Sequence, residues 1–119
     1  MMRKGVLRVA ESGRCAFWCP GCEEYHSIRT RGQGAWGFNG NYDAPTFTPS
    51  VLVEGTRFTE RGEQQHEAWV AAGCQSPPPE FERTDNRCHS FVTDGKIQFL
   101  SDSKHKLAGQ TVPLVYREP

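Results

Sequence analysis

The sequence predicts a small, mainly β domain of the α+β class, with one or two short helices. Three observations predict it. Short alternating or aromatic runs are separated by turn pairs, Asn39-Gly40 and Asp94-Gly95 among them, and both residues of such pairs tolerate φ > 0 in tight hairpins. Only 36% of the 119 residues are apolar, while 12 are glycine and 8 are proline, which is a composition of turns around a lean core. Cys19-Pro20-Gly21-Cys22 offers two thiolates to one metal ion, and a core this lean gains from such a staple.

In chain order, 5–10 alternates weakly and reads as a first edge strand, followed by a Ser12-Gly13 turn. Residues 15–18 lead as a strand into the cysteine loop, and 25–31 return as its partner, so the ion sits at a hairpin tip. Residues 35–38 form a short aromatic strand ending at Asn39-Gly40. Pro45 and Pro49 hold Thr46-Phe47-Thr48 extended, because residues before proline avoid the helical region. Val51-Leu52-Val53 continue that strand.

The segment 55–86 differs in character. It is polar and contains Pro77-Pro78-Pro79, and it reads as a loop insertion into a single domain spanning 1–119. A short helix over 63–72 places Ala68, Trp69 and Ala72 on one side, with Gly73 as its stop. Strands resume at 88–92 and 97–100, joined by Asp94-Gly95 as a type I′ turn. Ser101 or Asp102 caps a second short helix through Leu107, ended by Gly109. Residues 111–115 are the last strand, with Pro113 near an edge. Trp18, Trp36, Phe38, Phe47, Phe91 and Phe99 are the expected core.

Redox dithiols share the Cys-x-x-Cys spacing, but they sit between a strand and a long helix. Here a strand follows, so the pair reads as half of a zinc site. Cys88 is the expected third ligand. His105, on the expected second helix, is the favoured fourth, with His89 and His26 as alternates. His89 follows Cys88 directly, and successive strand side chains face opposite ways. His26 lies four residues past Cys22 on a strand, which carries it away from the ion if the strand runs straight. Cys15 and Cys74 read as bystanders, and His66 has no expected role.

Lys+Arg and Asp+Glu are both 14, so no long-range field draws nucleic acid or an anionic membrane. Arg29 and Arg31 alone do not make a basic groove. No apolar run is long enough for a signal peptide or a membrane helix. The expected compartment is the cytoplasm, where five cysteines serve as ligands and thiols rather than as a disulfide framework.

Longer strings carry a resemblance. Cys19-Pro20-Gly21-Cys22 with His26, Trp36-Gly37-Phe38-Asn39-Gly40 and Pro45-Thr46-Phe47-Thr48-Pro49-Ser50 resemble the front of a small phage and prophage family of unknown function. Cys88-His89-Ser90-Phe91-Val92, Asp94-Gly95, Ile97-Gln98-Phe99-Leu100, Asp102, His105 and the string 107–112 resemble its back. The family is sometimes labelled ammonia monooxygenase, which is membrane-bound, unlike a chain with no membrane segment. The resemblance implies a phage-encoded accessory protein with a bound metal, at work in the host cytoplasm. The expected function is therefore a zinc-stapled module that binds a host or phage protein, with enzymatic activity left open as the less favoured reading. One alternative is a zinc-dependent hydrolase in which His89, Asp102 or His26 handles protons, since these exceed what four-coordination needs. The other is a nucleic-acid-binding zinc ribbon with an aromatic platform, which the charge balance disfavours.

Overall fold

The computed structural model describes residues 1–74 and 77–118; the expected insertion thus includes two residues, 75 and 76, outside that description. The fold is mainly β, as the sequence predicts. A four-stranded sheet takes β1 (Met2–Lys4), β2 (Leu7–Val9), β3 (Arg14–Cys19) and β4 (Glu24–Arg29) in chain order. A five-stranded sheet takes β5 (Gly37–Phe38), β6 (Phe47–Phe58), β7 (Arg83–Thr93), β8 (Lys96–Phe99) and β9 (Thr111–Pro113), also in chain order. The helix α1 spans Glu60–Ala71.

Alternation sets which face of each strand is buried. On β7, Asn86, Cys88, Ser90 and Val92 point inward, while His89 and Phe91 point out. On β6, Phe47 and Val51 are buried between the more exposed Thr48, Ser50 and Leu52. Leu7, Phe17 and Ile28 of the first sheet join Phe47, Val51, Val92, Ile97 and Phe99 of the second in one buried cluster. Of the six expected core aromatics, Phe47 and Phe99 are fully buried, whereas Phe91 is 41% exposed. The β6 and β7 strands run antiparallel. The backbone N–H of Asp94 meets Thr46 Oγ1 at 2.8 Å, and His89 meets Ser50, so partner numbers fall on β7 as they rise on β6.

Several elements differ from expectation for local reasons. The first strand is a hairpin of β1 and β2 folded at Gly5, whose φ is +58°. Asn39-Gly40 opens a longer loop, because the Asn41 side-chain oxygen accepts from the N–H groups of Asp43 and Ala44 and holds a wider turn. Asp94-Gly95 is the tight turn expected, with φ of +51° and +78°. The second short helix does not form: 101–109 is a chain of turns held on β7 by Ser103 and Lys104.

The chain divides into two compact units. Met1–Val53 with Arg87–Pro119 is one, and Glu54–Asn86 is the other. In the second unit, Thr59 Oγ1 accepts from the Gly62 N–H at 3.1 Å, an N-cap that starts α1 three residues before the expected start at 63. Phe58, His66, Trp69 and Phe81 make ring contacts there, and the Arg83 guanidinium lies 4.3 Å from the Phe58 ring centre. His66, given no role by the sequence, is part of this small aromatic cluster. Among the described residues no helix is long and apolar enough to cross a membrane.

Because β6 and β7 are antiparallel neighbours, a two-residue Asn-Gly turn can join Val53 to Arg87. Replacing 54–86 in this way is expected to leave a cooperatively melting protein that lacks the helical circular-dichroism signal. A molten or unfolded product would place 54–86 in the core.

Candidate functional site

Two clusters of chemistry occupy the two faces of β7. The inner one is built on the β3–β4 hairpin. Cys19 ends β3, the backbone N–H of Cys22 points at Cys19 Sγ at 3.4 Å, and Glu23 turns the chain at φ +56°. Gly21 is not among the glycines with positive φ. It supplies space, because a Cβ there would collide with the His105 ring. The strand then returns antiparallel, pairing Cys19 with Glu24 and Phe17 with His26. Directly paired residues share a face, so His26 lies diagonal to Cys19 rather than away from it. Cys88 arrives from β7 with its sulfur 3.7 Å from Cys19 Sγ.

The three sulfurs and a ring nitrogen of His26 lie within 4.8 Å of one another. Cys19, Cys88 and His26 are buried, and His26 Nε2 makes no hydrogen bond of good geometry. The thiols are not in disulfides. A tetrahedral ion with ligand bonds of about 2.3 Å would hold sulfurs about 3.8 Å apart, close to the spacing found. Electrostatics point the same way. Hydrogen bonds with Cys19 and Cys22, together with burial and their negative charge, push the Cys88 thiol far up. Burial lowers the pKa of His26, but hydrogen bonding and charge from Cys19 and Cys22 outweigh it and raise it to about 9. So many thiol groups in one dry space call for a cation, and the donor set fits one.

The sequence favoured His105 as the fourth ligand, with His89 and His26 as alternates; the structure places His26 among the three sulfurs. His105 packs edge-on against Phe99 at 4.5 Å, covers Gly21, and accepts the Leu107 N–H at Nδ1. It buttresses the cysteine loop from outside the cluster. His89 is also absent from the cluster, for the reason the strand alternation gives.

The outer cluster contains His89. Its Nε2 lies 3.0 Å from Ser50 Oγ on β6, and its Nδ1 lies 3.2 Å from Asp102 Oδ2. An ionised carboxylate only accepts, so Nδ1 carries the proton and donates, while Nε2 accepts from the serine hydroxyl. Backbone bonds hold each member. The Trp36 indole donates to the Ser50 carbonyl at 3.3 Å. Ser103, beside Asp102 and buried, accepts from the His89 N–H and donates to the His89 carbonyl, both at 3.0 Å. The turn carrying Asp102 is thereby fastened to the residue it must face. A serine hydroxyl, an imidazole and a carboxylate in series form the arrangement that activates a serine for acyl transfer.

A family model described as "Bacterial ubiquitination-like system serine protease (BubE)" matches residues 1–100. The chain belongs to the BubE family. No curated protein matches it, and no solved structure does.

His89 and Asp102 were singled out by the sequence as surplus polar chemistry, but beside the metal. Ser50, their partner in this BubE-family chain, was missed. It carries no local nucleophile signature, and 39 positions separate it from His89. Only its place in the string 45–50 could have drawn notice.

Two outcomes are expected. His26→Ala, Cys19→Ser and Cys88→Ser lose the ion, and with it folding free energy on the order of 10 kcal/mol. His105→Ala keeps one ion per chain. Elemental analysis of the purified variants checks this, and a His105 variant without metal would reverse the assignment. Ser103→Ala leaves the His89 N–H without its partner, while the His89 carbonyl keeps the Leu100 N–H at 2.8 Å, and is expected to cost about 1–3 kcal/mol, measured by urea unfolding.

Proposed function

We propose that the chain is a serine hydrolase with Ser50 as nucleophile, His89 as general base and acid, and Asp102 as the group that orients and charge-balances His89. The observation that carries this reading is the unbroken series Ser50 Oγ, His89 Nε2, His89 Nδ1, Asp102 Oδ2 at hydrogen-bond distances. Membership in the BubE family supports proteolysis within a bacterial ubiquitination-like system, with a protein partner as the substrate. A phage or prophage source, implied by the motif strings, is compatible with that setting, since prophages lie in bacterial genomes.

The chemistry follows from the geometry. Ser50 Oγ attacks the substrate carbonyl carbon while His89 Nε2 takes the hydroxyl proton. Collapse of the tetrahedral intermediate breaks the bond to the leaving group, which receives that proton from His89. The acyl group is then an ester on Ser50. Water attacks the ester, again giving a proton to Nε2, and Ser50 leaves with it. Asp102 stabilises the imidazolium formed in each half.

The ion fits zinc. Three thiolates and one imidazole are a common structural zinc set, and such closed sites keep no position for water. Zinc would supply cross-linking here and not a nucleophile, which sets this reading apart from the zinc-dependent hydrolase. A thiolate site of this kind suits a reducing compartment, which supports the cytoplasm. The reading also differs from the non-enzymatic binding module that the sequence favoured, because a module has no use for an activated serine.

A fluorophosphonate probe is expected to label the protein once per chain, at Ser50, as located by mass spectrometry. Ser50→Ala and His89→Ala are expected to abolish labelling and lower kcat by about 10⁴-fold or more, with zinc content and melting temperature kept. Unlabelled wild-type protein, or labelling that survives Ser50→Ala, would return the binding module to first place.

A further inference from the structure

The outward face of β6 and β7 carries more than the triad. Leu52 lies two residues beyond Ser50 and is 49% exposed, and Phe91 lies two residues beyond His89 and is 41% exposed. Strand alternation puts Leu52 on the face of Ser50 and Phe91 on the face of His89. Because the strands are antiparallel, the two apolar side chains stand at opposite ends of the Ser50–His89 pair. Each is about 7 Å along its strand from the reacting group.

The Thr46–Asp94 and Ser50–His89 contacts bracket Thr48, which therefore lies across from Phe91. The next position across the sheet is Gly37, paired with Thr48 and covered by the Thr48 hydroxyl. Phe91 thus has only the short Thr48 side chain beside it on this face. Single exposed apolar residues are ordinary. Two of them at matching offsets on either side of a nucleophile are a surface continuous with its site.

We propose that Leu52 and Phe91 determine specificity, selecting substrates that carry apolar groups on the two sides of the scissile bond. The proposal rests on the serine hydrolase reading. An extended substrate laid along β6 and β7 repeats its side chains about every 7 Å on one face. That repeat matches the offset of Leu52 and Phe91 from the reacting pair. Apolar groups seated there leave water along with the exposed faces of both residues.

The test uses p-nitrophenyl acetate and p-nitrophenyl hexanoate, each corrected for its uncatalysed hydrolysis. Wild-type protein is expected to show kcat/KM at least about 10-fold higher for the hexanoate, since each buried methylene favours binding. One of Leu52→Ser and Phe91→Ser, the one on the acyl side, is expected to lower that ratio several-fold, and the double variant to bring it near one. Phe91→Leu is expected to restore most of it, and zinc content checks that each variant is folded. A wild-type ratio near one, or a ratio unchanged in the double variant, overturns the proposal while a Ser50-dependent nitrophenol burst leaves the hydrolase reading standing. No Ser50-dependent burst with either ester overturns the hydrolase reading, and the proposal falls with it.

Discussion

The alternation of side chains along β7 is the constraint on which both clusters depend. Cys88 faces inward and His89 outward, as neighbours on an extended strand must. Whatever fixes Cys88 in space therefore fixes the backbone of His89 within one residue. Cys88 lies against the hairpin of the other sheet, beside Cys19, Cys22 and His26. These residues lie on elements separated by 69 positions from Cys19 to Cys88. An ion that joins them closes a long loop, which a lean core would otherwise have to close by packing alone. Ser103 then fastens the Asp102 turn to His89 from the outer side. The His89 imidazole is thus braced twice, once through the backbone of Cys88 and once through Ser103.

Local chemistry made much of this legible in the sequence. The mainly β class followed from turn pairs and short alternating runs, and Asp94-Gly95 folds as its residue types require. Cys19, Cys22 and Cys88 were readable because thiolate spacing carries information within a few residues, and a strand supplies the third sulfur. The place of His26 beside the sulfurs was less legible, because its distance was measured along a straight strand. The hairpin folds that strand back, and the register Phe17–His26 then sets its place. Register is a pairing property, and no residue near His26 encodes it alone. The expected second helix failed for a related reason. Of the expected caps Ser101 and Asp102, Asp102 faces His89 Nδ1, and the next residue, Ser103, finds both a donor and an acceptor on His89, so tertiary pairs outweigh a weak local preference.

Ser50 shows the limit of sequence reading most plainly. Serine is a common residue, and nothing in its neighbours marks it as a nucleophile. What marks it is an imidazole 3.0 Å away, delivered by a strand that returns only after the whole Glu54–Asn86 unit. His89 and Asp102 were noticed, yet they were assigned to the ion because the metal was the only chemistry visible. Opposite faces of one strand separate the two roles, and that separation exists only after the sheet has formed.

The same separation would let a zinc ion in the cysteine cluster and a catalytic Ser50–His89–Asp102 series coexist without interfering. A zinc with four protein ligands does not polarise a substrate or lower the pKa of water, because both need an open position. An activated serine needs its base to be neutral and unligated at Nε2, which a nearby ion competing for imidazole would prevent. Here the sheet itself is the partition: the imidazole of His26 belongs to the sulfurs and the imidazole of His89 to Ser50. Swapping their roles would require a one-residue slip of β7, which would also turn Val92 and Ser90 out of the core and Phe91 into it. The burial of Cys88, Ser90 and Val92 therefore protects the chemistry at His89, although none of the three touches the Ser50 hydroxyl.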